Sequence, residues 1–174
     1  MASLYFILTY LSIRIGKDFH ITFASMMVVL SSLLFGLPDS LIIAGLGEFL
    51  NQTLTYGLMI TTPLWILPPL SRALILSLVS MHYRKKKERL SDHIVIYFLS
   101  VILAGLSTSI LNTAITFLDG YLMDYPVNFV LIKTLIRFLI NILTGIIVGI
   151  ISLPVSRILD KAIHKEDRTE NGNE

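Results

Sequence analysis

The chain has 174 residues, 54% hydrophobic and 15% charged, with a mean hydropathy of +0.75; a soluble globular domain carries roughly a quarter charged residues, so that class is excluded for most of the sequence. A net charge of +2 decides nothing until the basic residues are placed, and the absence of cysteine excludes disulfides, thiolate metal sites and a cysteine nucleophile. A hydrocarbon core roughly 30 Å thick needs about 20 helical residues, so this length supplies six spans with short connectors and no separate soluble domain.

Apolar runs divided by polar or Pro/Gly punctuation give the predicted elements, because strand alternation is absent and lipid-facing backbone must bond within its own helix. The first run covers Ala2 to Ile15, the second Ile21 to Phe35, the third Ser40 to Leu54 and the fourth Leu64 to Ser80. The fifth and sixth, His93 to Leu118 and Val127 to Leu159, are long enough to tilt or to project beyond lipid. Between them, Gly16 to Phe19 form a tight polar turn, and Gly36, Leu37, Pro38 and Asp39 carry a helix stop followed by a new N-terminus. The expected fold is therefore an all-α, polytopic bundle of six transmembrane helices over residues 1–160. A polar cytoplasmic tail, frayed and solvated, follows over residues 161–174. The first run starts at the initiator Met with almost no flank and has Arg14 near its end, so the recorded start is expected to lie inside helix one.

Basic residues set the orientation. Arg84, Lys85, Lys86, Lys87 and Arg89 fill the fourth-to-fifth connector, and Arg157, Lys161, Lys165 and Arg168 follow the sixth span, which assigns both clusters and both termini to the cytoplasmic side of a cell membrane. The external connectors are then Gly16 to His20, Asn51 to Pro63 and Asp119 to Pro126.

Glu48, Arg72, Lys133 and Arg137 are ionisable residues flanked by apolar ones. A central Lys, Arg or Asp costs about 2.5–3.5 kcal/mol on insertion scales, so these side chains should face a protein interior or a wet cavity. Lys133 and Arg137, four residues apart, share a helix face. Two readings stay open: Glu48 pairs with Arg72 or Arg137 to lock helices together, or the surplus of cations is completed by a carboxylate or phosphate of a ligand.

Asn51, Gln52, Thr53, Thr55, Tyr56, Thr61 and Thr62 give the third-to-fourth connector donors and acceptors, Gly57 permits a sharp turn, and Trp65 offers a stacking surface or a place in the interfacial aromatic belt. Pro63, Pro68 and Pro69 stiffen that entrance and interrupt the fourth helix. In the fifth span Ser107, Thr108, Ser109, Thr113 and Thr116 read mainly as packing contacts, whereas Asn112 is the candidate ligand contact. Gly145 and Gly149 form a GIIVG pattern that admits a close neighbouring helix, preferably from the same chain. His20, His82, His93 and His164 sit at span ends without metal-site spacing. A GxxxxGK[ST] loop, HExxH and G-x-S-x-G are all absent, which leaves neither an ATPase nor a familiar hydrolase.

Taken in order, LSIRIG, ITFASMMVVLSSLLFGLPDSLIIAGLGEFLNQ, TTPLWILPPLSRALI, LNTAITF and LIKTLIRFLINIL resemble an S component of an energy-coupling factor (ECF) vitamin transporter over nearly the whole chain. The folate-type branch is nearest in loop and Arg placement, and pantothenate is next. That resemblance implies a non-enzymatic binding subunit that needs no cofactor and takes an anionic, folate- or pantothenate-like micronutrient from outside. It also implies partners: a transmembrane coupling subunit and two ATPases, with transport by toppling of the loaded S component. The lids would be Gly16 to His20 and Asn51 to Pro63, and the binding residues Glu48, Asn51, Gln52, Tyr56, Trp65, Arg72, Asn112, Lys133 and Arg137. The family's small-residue A-x-x-x-A coupling motif belongs in the first helix, where Ala2 alone is available. The competing classes are a small intramembrane enzyme, for which Glu48 is the one buried acid on offer, and a ligand-free membrane assembly protein whose charges would all pair.

Overall fold

The computed structural model describes residues 5, 7–8, 13–15, 19–21, 24–59, 61–86, 88, 90–122 and 127–170; the side chains of 13–15, 19–21, 56, 127–131, 133, 137 and 160–170 lie outside that description. Helix occupies each of the predicted runs. Residues 5, 7 and 8 are the described part of α1. There follow α2 (Ala24–Leu34), α3 (Leu37–Tyr56), α4 (Thr62–Lys85), a single 3-10 turn at Leu90–Asp92, α5 (Ile94–Leu122) and α6 (Val127–Glu170). The stretches Thr62–Lys85, Ile94–Leu122 and Thr134–Leu159 are long and apolar enough to cross a membrane. With 11 residues α2 is apolar but short, reaching about 16 Å.

Local chemistry explains the breaks. At the α2–α3 corner Gly36 adopts φ 104°, a conformation that a side chain would oppose, and Pro38 and Asp39 occupy the first turn of α3, where a missing N–H and a negative charge suit a helix N-terminus. Gly57, at φ 81°, ends α3 with its N–H on the Thr53 carbonyl at 3.1 Å. The Thr62 hydroxyl then accepts from the Met59 N–H at 2.9 Å as α4 begins.

The distribution of side chains is inverted relative to a water-soluble bundle. Val95 is 80% exposed, Ile110 67% and Leu99 64%, whereas Ser31, Ser32, Ser40, Ser77 and Ser152 are fully buried. Lipid tails solvate the outer side chains, and small residues let the backbones approach closely inside. Ser40 and Ser77 hydroxyls meet at 2.6 Å between α3 and α4. α4 is the central element, packing against α2, α3 and α5, while α6 packs on α5 and α2. On the α5–α6 seam the Tyr97 hydroxyl donates to the Gly149 carbonyl at 3.0 Å and lies 2.8 Å from Ser152 Oγ. A Cβ on Gly149 would stand 3.2 Å from the Phe98 ring, whereas one on Gly145 would meet nothing within 4 Å. The glycine pattern therefore works at Gly149, with a neighbour from the same chain. The hydroxyls of Thr108, Thr113 and Thr116 donate to carbonyls four residues back at 2.6–2.8 Å, the packing role expected for them, and Ser100 does the same at 2.7 Å.

Several boundaries depart from the sequence reading; α5, for one, runs on to Leu122. Ile13–Ile15 and Phe19–Ile21 form a two-stranded antiparallel hairpin with Arg14 opposite His20, where the first run had been expected to remain helical. The β-branched, alternating IRI and FHI triplets favour extended backbone there. α3 continues to Tyr56, so Asn51 to Tyr56 belong to a helix rather than a loop. α4 extends to Lys85. α6 continues as helix to Glu170 instead of fraying at Asp160, because its Lys, Glu, Arg and Ala residues are good helix formers. Ala2 and the turn residues Gly16, Lys17 and Asp18 lie outside the described residues.

The α5–α6 contact makes a direct prediction. Gly149→Val should destabilise the detergent-solubilised protein by about 1–3 kcal/mol through overpacking against Phe98. Gly145→Val should stay within about 0.5 kcal/mol of the parent. Thermal unfolding of the two variants side by side checks this.

Candidate functional site

The last two turns of α3 carry the most concentrated polar cluster among the described residues. Glu48, Asn51 and Gln52 stand at i, i+3 and i+4, hence on one helix face. Glu48 Oε1 accepts from Asn51 Nδ2 at 3.1 Å and from Gln52 Nε2 at 2.7 Å. Its other oxygen, Oε2, accepts from the Tyr5 hydroxyl of α1 at 2.8 Å. Thr55 Oγ1 extends the network by donating to Asn51 Oδ1 at 3.2 Å. Three neutral donors thus solvate a carboxylate that lipid could not, and the partly buried Glu48 side chain keeps some access to the surroundings.

Tyr5 was not among the residues singled out from sequence. Its ring is 4% exposed and packs in the core formed by Ala24, Met27, Val28, Leu30, Ala44 and Ala73. The signal available was a tyrosine inside an apolar run, since a buried phenol needs a partner, but the partner lies 43 residues away.

Arg72 is partly buried on α4. Its guanidinium has no carboxylate within 4.0 Å among the described residues. The expected lock between Glu48 and Arg72 is therefore not formed: Tyr5, Asn51 and Gln52 take up the carboxylate, and Arg72 stands beside that cluster. Trp65, seven residues before Arg72, shares its face of α4 and is partly buried. Pro68 and Pro69, between them, remove two intrahelical N–H donors. The Pro68 carbonyl accepts from Ser71 Oγ at 2.8 Å and Thr108 Oγ1 at 3.4 Å, which ties this weakened turn to α5.

Asn112 is partly buried on α5, and its backbone carbonyl accepts from Thr116 Oγ1 at 2.6 Å. Tyr56 is the last residue of α3, and Lys133 and Arg137 lie one turn apart on α6; the side chains of all three are outside the described residues, as is any pairing between Glu48 and Arg137. No group of three His, Cys, Asp or Glu suited to a metal occurs among the described residues.

Basic residues mark the opposite end of the bundle. Arg84 Nη2 donates to the carbonyls of Leu33 and Leu34 at the C-terminus of α2, and Arg157 Nη2 donates to the Ser91 carbonyl at 2.6 Å. Arg84 thus satisfies carbonyls at the C-terminus of α2, where their partial charges favour a cation, and Arg157 satisfies a carbonyl of the 3-10 turn between α4 and α5.

Comparison with known proteins supplies a family. The model of the ECF-type riboflavin transporter S component matches residues 1–157. A solved structure described as the structure and mechanism of the S component of a bacterial ECF transporter superposes with a TM-score of 0.63 at 21% identity, covering 93% of this chain and 92% of that one. Comparison with curated proteins gives no match.

Loss of the carboxylate should expose how much the cluster depends on it. Glu48→Leu leaves the donors of Tyr5, Asn51 and Gln52 without their acceptor and should cost about 1–3 kcal/mol in ligand-free thermal unfolding. Leu54→Ala, at an exposed position on the same helix, should change stability by no more than about 0.5 kcal/mol.

Proposed function

The chain belongs to the ECF-type riboflavin transporter S component family, and we propose on that premise that it captures riboflavin at the outer face of a cell membrane and hands it to a coupling subunit driven by two ATPases. The family match over residues 1–157 is the observation that carries this reading. It is a family of transporter subunits rather than enzymes, and the chain has no nucleotide-binding loop of its own, so the energy comes from its partners.

Riboflavin suits the α3 cluster better than the folate- or pantothenate-like anion expected from charge alone. It is uncharged at neutral pH, rich in hydroxyl and N–H donors, and planar at one end. A carboxylate already dressed by neutral donors can accept one more from such a ligand without forming an ion pair. The Glu48, Asn51 and Gln52 face would take the polar groups, Trp65 would stack on the ring system, and Arg72 and Asn112 would complete the pocket; Tyr56, Lys133 and Arg137 stay candidates on sequence grounds alone. The hairpin and the α3–α4 turn would close over it. Arg84 and Arg157 lie at the end away from Gly57, which supports a cytoplasmic assignment for that end and for both termini.

One observation favours an anionic ligand instead: Arg72 has no carboxylate partner among the described residues. Flavin fluorescence separates the readings. Purified protein should quench riboflavin fluorescence with saturation at one equivalent, and excess folate or pantothenate should not reverse it. Failure to quench, together with tight binding of folate or pantothenate, would overturn the riboflavin reading.

A further inference from the structure

We propose that Tyr5 and Gly47 form a positioning pair that aims the Glu48 carboxylate at a ligand donor, making α1 part of the binding site; this rests on the riboflavin reading above. Four observations lead to it. The Tyr5 hydroxyl donates to Glu48 Oε2 at 2.8 Å, while both amide donors go to Oε1. Bonds from two separate helices, one to each oxygen, fix the plane of the carboxylate as well as its location. A carboxylate oxygen can accept two hydrogen bonds, so Oε2 retains one acceptor position among the described residues. The Tyr5 ring lies against Gly47, the residue preceding Glu48, so closely that a Cβ built there would overlap the ring atoms Cδ1 and Cγ.

These features distinguish aiming from simple solvation. If the carboxylate needed only to be neutralised, a cation such as Arg72 could pair with it directly, yet no Arg72–Glu48 ion pair forms among the described residues. Instead a rigid aromatic donor from a buried position makes the bond, at a site where the α3 backbone carries no side chain to displace it. The unused position on Oε2 suits a hydroxyl or N–H donor, and riboflavin offers both, on its ribityl chain and at N3 of its ring.

The test compares three ligands on the full chain in detergent: riboflavin, lumiflavin, which lacks the ribityl hydroxyls, and N3-methylriboflavin, which lacks the ring N–H. Tyr5→Phe should weaken riboflavin by about tenfold, the size of one well-placed hydrogen bond, and change affinity less than about twofold for whichever analogue lacks the donor. In a Glu48→Gln background the same substitution should add less than about twofold. Gly47→Ala, which expels the ring, should reproduce the ligand-selective loss and provides the test if Tyr5→Phe does not fold. Equal weakening of all three ligands, or no weakening of any, overturns the positioning role. A parent protein that binds none of the three overturns the riboflavin reading and this proposal with it, a result distinguishable from binding that is indifferent to Tyr5.

Discussion

A carboxylate among apolar helices has to be solvated by the protein itself, and the way Glu48 meets that requirement organises the end of this bundle where α3 closes. Its three donors come from two helices: Asn51 and Gln52 from its own, Tyr5 from α1. The helical partners are local and follow from spacing. The phenol is remote, and bringing it there demands a flat, side-chain-free approach at Gly47 and a core cavity of small residues, Ala24, Ala44 and Ala73, to receive the ring. Removing an interaction of this kind leaves desolvated donors and acceptors behind, which is why so few atoms can hold several elements in register.

The remainder of the fold applies the same economy with weaker groups. Many hydroxyls are turned back onto helix carbonyls or joined across helices, as with Ser40 and Ser77 or Tyr97, Gly149 and Ser152, although those of Ser25, Thr53 and Thr134 are buried without a hydrogen-bond partner among the described residues. Individual hydrogen bonds between membrane helices average about 0.6 kcal/mol, so these seams derive their strength from close packing of small residues together with the bonds. α4 departs from this pattern where Pro68 and Pro69 remove backbone donors. The helix nonetheless stays continuous over Thr62–Lys85, where the prolines had been expected to interrupt it, and they fall one turn from Arg72 with the Pro68 carbonyl bonded by Thr108 of α5.

Sequence made much of this legible, for physical reasons that differ from residue to residue. Long apolar runs, the Gly36–Pro38–Asp39 stop and restart, and the role of Gly57 follow from local chemistry, and the structure agrees with them. Gly149 was readable as a close-approach site, although Gly145, its companion in the pattern, contacts nothing. Glu48 was recognisable as an acid in an apolar run, and Asn51 and Gln52 as polar residues of the expected connector, but the bonds between them were not, because the amides were read as loop and Arg72 or Arg137 as the acid's partner. Tyr5 was not recognisable, since a pairing across 43 residues leaves no local trace. The hairpin was missed because six residues of alternation are too few to outweigh a helical reading of the first run. The transporter family was visible in the order of its elements, while charge alone pointed toward an anionic ligand; the riboflavin-type match redirects that expectation.

What ties these strands together is a carboxylate held by neutral donors, which we propose binds the nutrient. Native mass spectrometry of the full-length protein released from membranes of cells that make flavins tests it most directly, with parent and Glu48→Gln chains measured in parallel. The account predicts a single adduct of riboflavin mass on the parent protein and its loss from the variant at equal yield and folding. A parent chain without a flavin adduct, or a variant that keeps it at parental occupancy, would contradict the account.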